Sequence, residues 1–151
     1  MIDPNGIAHI QLTVRDVAVS RPFYYMLLHE TFGMRIQYDY ADTFYCIGGR
    51  TGILITSAIG EHRDQTFDQM RIGLHHFCFR LRSNEDVAAL HQALVVFGAK
   101  IIRAPEAGPW APGYHSILFE DPDGIRIEAN HVPGRGNLDL IQDKPLESRL
   151  K

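Results

Sequence analysis

The chain has 151 residues, 45% of them hydrophobic and 22% charged, with a formal net charge of −3. That size suits one domain with a real core, and the slight acidity gives no reason to expect nucleic acid or a membrane as partner. No apolar run approaches the ~18 residues that span a bilayer, and no basic, apolar leader opens the chain. Cys46 and Cys78 stand far apart in apolar runs, so buried free thiols and a cytoplasmic, reducing home are expected.

From Gly6 to Val14 the residues alternate, with Ala8, Ile10, Leu12 and Val14 on one face and His9, Gln11 and Thr13 on the other. This is a strand with one packed and one polar face. Ser20 is the expected N-cap of the next helix, with Pro22 in its first turn. Phe23, Met26, Leu27 and Glu30 follow at helical spacing, and Gly33 closes the helix. Three strands are expected at Met34–Tyr40, Thr43–Ile47 and Gly52–Ser57, the last two joined by a turn at Gly48-Gly49.

The polar stretch 59–72 reads as a linker. A strand restarts over Gly73–Leu81, and Ser83-Asn84-Glu85-Asp86 opens a helix carrying Val87, Leu90, Leu94 and Phe97 on one face, with Gly98 at its end. Ala99–Arg103 is a strand, and Ala104–Gly113, with three prolines, two glycines and Trp110, is a loop. The last two strands are Tyr114–Glu120 and Gly124–Asn130, joined by the tight turn Asp121-Pro122-Asp123-Gly124. Residues 132–151 read as a polar tail.

The order strand, helix, three strands occurs twice, over residues 6–58 and 73–131, as an internal repeat of a βαβββ unit. The match sets Gly6-Ile7-Ala8-His9-Ile10 on Gly73-Leu74-His75-His76-Phe77, and Gly52-Ile53-Leu54-Ile55-Thr56 on Gly124-Ile125-Arg126-Ile127-Glu128. His9, Thr56, His76 and Glu128 therefore hold equivalent places on polar strand faces. If the two halves pair, these faces can meet in one cavity. Two imidazoles and one carboxylate form a facial ligand triad with open coordination positions, suited to Fe, Mn, Zn, Ni or Co. His75, of opposite parity to His76, is expected on the packed side.

At these residues the chain resembles the vicinal oxygen chelate superfamily, the group of glyoxalase I, the bleomycin-resistance proteins and the extradiol dioxygenases. The resemblance covers roughly Gly6 to His131. It implies an α+β fold of two βαβββ modules in a curved mixed sheet around a central cavity, helices outside, commonly as a homodimer. It also implies one divalent metal ion on His9, His76 and Glu128. Glyoxalase I enzymes carry a second glutamate where this chain has Thr56, which argues against lactoylglutathione lyase activity. Extradiol enzymes carry a tyrosine where this chain has Leu118, which argues against ring cleavage. Fosfomycin-inactivating members use a similar His, His, Glu set.

The expectation is thus a metal-dependent enzyme, lyase, isomerase or dioxygenase-like, acting on a small substrate that chelates the metal through neighbouring oxygens. Arg126 and Arg80, with the polar-face parity of Glu128, are candidates for binding a substrate anion, and Gln11 and Trp110 for other substrate contacts. His115 and Tyr114 are the candidate proton-transfer residues. The alternative is a metal-free, drug-sequestering protein of the bleomycin-resistance type, motivated by Trp110, Tyr114, Tyr45 and Phe44.

Overall fold

The structure is a computed structural model that describes residues 1–2 and 4–134. From residue 135 onward the expected polar tail lies outside the described residues. The chain forms two compact units. The first comprises Met1–Asp68 with Asp121–Ile125; the second takes Gln69–Glu120 and the chain from Arg126. Each carries one four-stranded mixed sheet, so the α+β class and the duplicated βαβββ order are observed.

In the first unit β1 (His9–Val14) leads to the helix α1 (Val17–Tyr24), then to β2 (Arg35–Tyr40), β3 (Thr43–Gly48) and β4 (Thr51–Ser57). The sheet order is β1-β4-β3-β2, with β1 and β4 parallel and the other pairs antiparallel. Alternation in β1 sends Leu12 and Val14 into the core and leaves His9, Gln11 and Thr13 exposed. The core collects Val17, Phe23, Leu27, Leu28, Phe44, Cys46, Ile53 and Ile55.

The helix start differs from expectation. Asp16, with extended backbone, is the N-cap, and its carboxylate accepts from the Ala18 N–H at 2.8 Å. An aspartate caps as well as a serine does. Ser20 is instead buried one turn into α1, and Pro22 lies inside the helix. Beyond Tyr24 the helix widens over Tyr25–Thr31 into π-type bonding, in which Phe32 N–H donates to the Leu27 carbonyl five residues back. The β3–β4 turn also sits one residue later than expected, at Gly49 and Arg50, both with positive φ (56° and 67°). That pair of left-handed residues is what a two-residue hairpin turn of matching twist requires.

The turn Asp121-Pro122-Asp123-Gly124 closes with Gly124 N–H donating to the Asp121 carbonyl, and it belongs to this first unit. Asp121 accepts from the Tyr24 hydroxyl at 2.8 Å and from the Ile125 and Asp123 backbone N–H groups. Asp123 pairs with the Arg15 guanidinium at 2.5 Å.

In the second unit β5 (Phe77–Arg80) precedes α2 (Asn84–Phe97), followed by β6 (Lys100–Ala107), β7 (His115–Glu120) and β8 (Arg126–His131). The order is β5-β8-β7-β6, with β5 and β8 parallel. Ser83 caps α2 by accepting from Asp86 N–H, and Gly98 ends it in the left-handed conformation at φ 83°. Val87, Leu90 and Leu94 of α2 and Phe77, Ile117, Phe119, Ile127 and Ala129 of the sheet are buried.

Two strands depart most from expectation. β5 begins only at Phe77, so Gly73–His76 lies outside it, and β6 runs on through Ala107 with register shifts on both sides of Arg103. Cys46 is buried, whereas Cys78 is exposed, contrary to expectation; both are free thiols. Among the described residues no helix is long and apolar enough to cross a membrane.

Candidate functional site

The polar face of the second sheet is set by register. Cys78 pairs with Glu128 and Arg80 with Asn130 across β5 and β8, while Ser116 pairs with Asn130 and Leu118 with Glu128 across β7 and β8. These residues share one side because side chains alternate along each strand. Phe77, Ile117, Phe119 and Ile127 fill the other.

Glu128 is 7% exposed. Its two oxygens have different partners. Oε1 accepts from the Tyr114 hydroxyl at 2.5 Å and lies 3.5 Å from Arg103 Nη2. Oε2 lies 3.1 Å from His76 Nε2. The other ring nitrogen of His76, Nδ1, is 2.7 Å from Nδ1 of His75. His75 was expected on the packed side and is exposed. Strand alternation does not reach it, because β5 starts after His76.

Tyr114 is buried, and its hydroxyl also accepts from Asn130 Nδ2 at 3.1 Å. Burial pushes its phenol up to about 12; the Asn130 hydrogen bond lowers it and the Glu128 carboxylate raises it. Near neutral pH it is therefore a protonated donor to Glu128. Trp110 packs on Tyr114 with ring centroids 5.1 Å apart, and the Arg103 guanidinium lies 5.5 Å from the Trp110 ring centroid.

The other candidates have partners of their own. His115 pairs with His131 and has the parity of Ile117 and Phe119, so the pleat directs it away from the Glu128 face. Arg126 is 3.3 Å from Glu120 Oε1, and Lys100 is 2.7 Å from Glu120 Oε2, so Arg126 belongs to a structural ion cluster. Arg80 donates to the carbonyls of Val132 (3.4 Å) and Gly134 (3.0 Å), tying down the chain after β8.

In the first unit His9 is exposed on the face it shares with Gln11 and Thr13. Gln11 Nε2 reaches Thr56 Oγ1 at 3.5 Å. His9 pairs with Gly52 across β1 and β4, and the Tyr45 phenol lies over Gly52, where an added Cβ would come 2.5 Å from its hydroxyl oxygen. Tyr38 stacks against both Tyr40 and Tyr45, at 5.9 and 5.8 Å between ring centroids. Phe44 is fully buried and offers no ligand surface. Among the described residues, neither unit by itself gathers three His, Cys, Asp or Glu side chains able to hold a metal ion.

Sequence reading named none of Arg103, Ser116 and Asn130 as a site residue. Asn130 was legible, since it shares the alternation of Glu128, and Ser116 shares that of Tyr114. Arg103 was not, because bulges on both sides of it break the period-two pattern.

The model of the Glyoxalase/Bleomycin resistance protein/Dioxygenase superfamily matches residues 6–129. The protein YqjT of Bacillus subtilis (strain 168) is 28% identical over 123 residues, covering 80% of this chain and 94% of YqjT. A putative glyoxalase from Bacillus halodurans superposes with a TM-score of 0.75 at 24% identity, covering 85% of this chain and 96% of that one. A genomically encoded fosfomycin resistance protein from Listeria monocytogenes gives a TM-score of 0.63 at 19% identity, covering 99% and 100%. At these identities the two solved structures speak to the fold alone.

Proposed function

Because the chain belongs to the glyoxalase/bleomycin resistance protein/dioxygenase superfamily, we propose that it is a divalent-metal enzyme whose small substrate chelates the ion through neighbouring oxygens. The observation that carries this reading is the approach of His76 Nε2 to Glu128 Oε2 at 3.1 Å. With Oε1 held by Tyr114, Oε2 and the imidazole nitrogen are left as two convergent donors. An imidazole and a carboxylate suit Fe, Mn, Zn, Ni or Co. His9 is the third donor in this proposal, as the counterpart of His76 in the repeat.

The surroundings fit that role. His75 Nδ1 and His76 Nδ1 lie 2.7 Å apart, within hydrogen-bond distance. With the proton on His76, its Nε2 lone pair is free for the ion, and His75 fixes the ring, as partners of ligating histidines commonly do. A bound divalent ion would stabilise negative charge developing on a substrate oxygen. Tyr114 holds the carboxylate in place, and Trp110 packs on Tyr114. Thr56 in place of a second carboxylate favours a reaction other than lactoylglutathione formation, with lyase, isomerase and addition chemistry in view. The free thiols Cys46 and Cys78 support a reducing, cytoplasmic setting, and a homodimer is the proposed assembly.

Cobalt(II) tests this reading. Titrating metal-free protein should give visible absorption bands that saturate near one equivalent, and these should be lost in His9→Ala and in His76→Ala. Bands that survive both substitutions would remove the proposed ligand set.

A second reading rests on the row Tyr38, Tyr40 and Tyr45, which lies on the same strand face as His9. It favours a protein that sequesters a planar aromatic compound without chemistry. Ligand binding retained after complete removal of metal would support it, and metal-dependent turnover would end it.

A further inference from the structure

Arg103 is not spent on the ion pairs around it. Its Nη2 donates to Ser116 Oγ at 2.9 Å, and the same nitrogen is 3.5 Å from Glu128 Oε1, which already accepts the shorter bond from Tyr114. Committed guanidinium–carboxylate pairs are bidentate and near 2.8 Å, so the contact with Glu128 is a loose one. Nε is buried and makes no hydrogen bond among the described residues; Glu106 Oε1 lies 3.4 Å from it as an ion-pair partner outside hydrogen-bonding geometry.

The group is nevertheless held firmly. Trp110 covers it, and Trp110 is itself seated over Gly108, where a Cβ would come 2.3 Å from the indole. The bulges on both sides of Arg103 take it out of the regular strand register. Its side chain is 27% exposed. A fixed cation, partly open to solvent, stands beside the carboxylate for which metal binding is proposed.

We propose that Arg103 is the anchor for an anionic group on the substrate, a carboxylate or phosphonate distinct from the oxygens that chelate the metal. A planar fork of donors recognises such a group better than a point charge does. This inference rests on the metal reading above and narrows its substrate class to anionic chelators.

The test compares malate with lactate. Both carry a 2-hydroxy carboxylate that can chelate a metal, but only malate has a second carboxylate. Trp110 is the chain's one tryptophan, so its emission reports ligand binding beside Arg103. In metal-loaded protein, malate should bind at least about 10-fold more tightly than lactate, the scale of a charge-assisted hydrogen bond. In Arg103→Gln that preference should collapse, with lactate affinity and metal content unchanged. Equal affinities in the unsubstituted protein, or no response to either acid, would overturn the proposal whether or not the variant folds. So would a preference that survives Arg103→Gln. Metal lost from Arg103→Gln would make Arg103 a positioning residue for Glu128 and overturn it too. If the protein binds no metal but still prefers malate, and that preference is lost in Arg103→Gln, the anion site stands while the metal reading fails.

Discussion

The Tyr114 hydroxyl donates to Glu128 Oε1 at 2.5 Å, while the other oxygen of that carboxylate faces His76 Nε2 at 3.1 Å. One carboxylate is thus divided between a hydrogen bond from Tyr114 and a contact with His76. The bond joins the residue just before β7 to the middle of β8, so it fixes the rotamer of Glu128 from the neighbouring strand.

Tyr114→Phe should separate these roles. The ring still packs, but Glu128 Oε1 and Asn130 lose a buried partner. Destabilisation of about 1–3 kcal/mol is expected from the unpaired groups. Metal affinity should fall roughly 10-fold or more through the loosened ligand. Urea unfolding and metal titration of the same variant check both effects; a stable variant with unchanged metal affinity would contradict them.

Asp121 predicts a pH effect in the first unit. Burial pushes its carboxyl up to about 6 from the usual 3.8, although hydrogen bonds from Tyr24, Ile125 and Asp123 pull it back. Between about pH 4 and 6 the native state holds a proton that the unfolded chain releases. Stability from this group is therefore present below pH ~4 and falls as pH rises through ~6, by roughly 3 kcal/mol in all. Asp121→Asn keeps one acceptor for the backbone N–H groups and cannot ionise. Relative to that variant, the urea midpoint of the unsubstituted protein should drop from pH 4 to pH 7; a relative rise would contradict the assignment.

Gly52 is held as glycine by Tyr45. A Cβ there would lie 2.5 Å from the phenol oxygen and 2.6 Å from a ring carbon. Gly52→Ala should cost about 1–3 kcal/mol through overpacking, and most of that cost should vanish when Tyr45→Ala is added. Additive losses in the double-mutant cycle would mean the two residues do not share the space.

Helix α1 gives a simpler test. Asp16→Ala removes the N-cap and should cost about 1 kcal/mol. The hydroxyl of Ser20 makes only a 3.4 Å contact with Asp123, so Ser20→Ala should cost less. The reverse order in thermal unfolding would restore Ser20 as the cap.

What the sequence made legible follows from which forces are local. Alternation placed Leu12 and Val14 inside and Glu128 and Asn130 on one polar face, because period two holds wherever a strand is regular. The α2 cap at Ser83 and its left-handed Gly98 were legible because both act within one turn. Irregular places were misread. His75 lies before the first paired residue of β5, so parity had no meaning there. Arg103 sits between two bulges. The turn at Gly49 and Arg50 uses an arginine at positive φ, which residue type alone does not signal. The Tyr114 hydroxyl reaches Glu128 diagonally across the β7–β8 hairpin, past the directly opposed pairs Ser116–Asn130 and Leu118–Glu128, and no local pattern encodes that.

The central claim is that Glu128 is a metal ligand. Elemental analysis by plasma mass spectrometry of the purified protein beside its Glu128→Ala variant tests it most directly. The account predicts about one equivalent of Fe, Mn, Zn, Ni or Co in the protein and its loss in the variant, with both folded by circular dichroism. Equal metal content in the two, or none in either after anaerobic reconstitution, would contradict it.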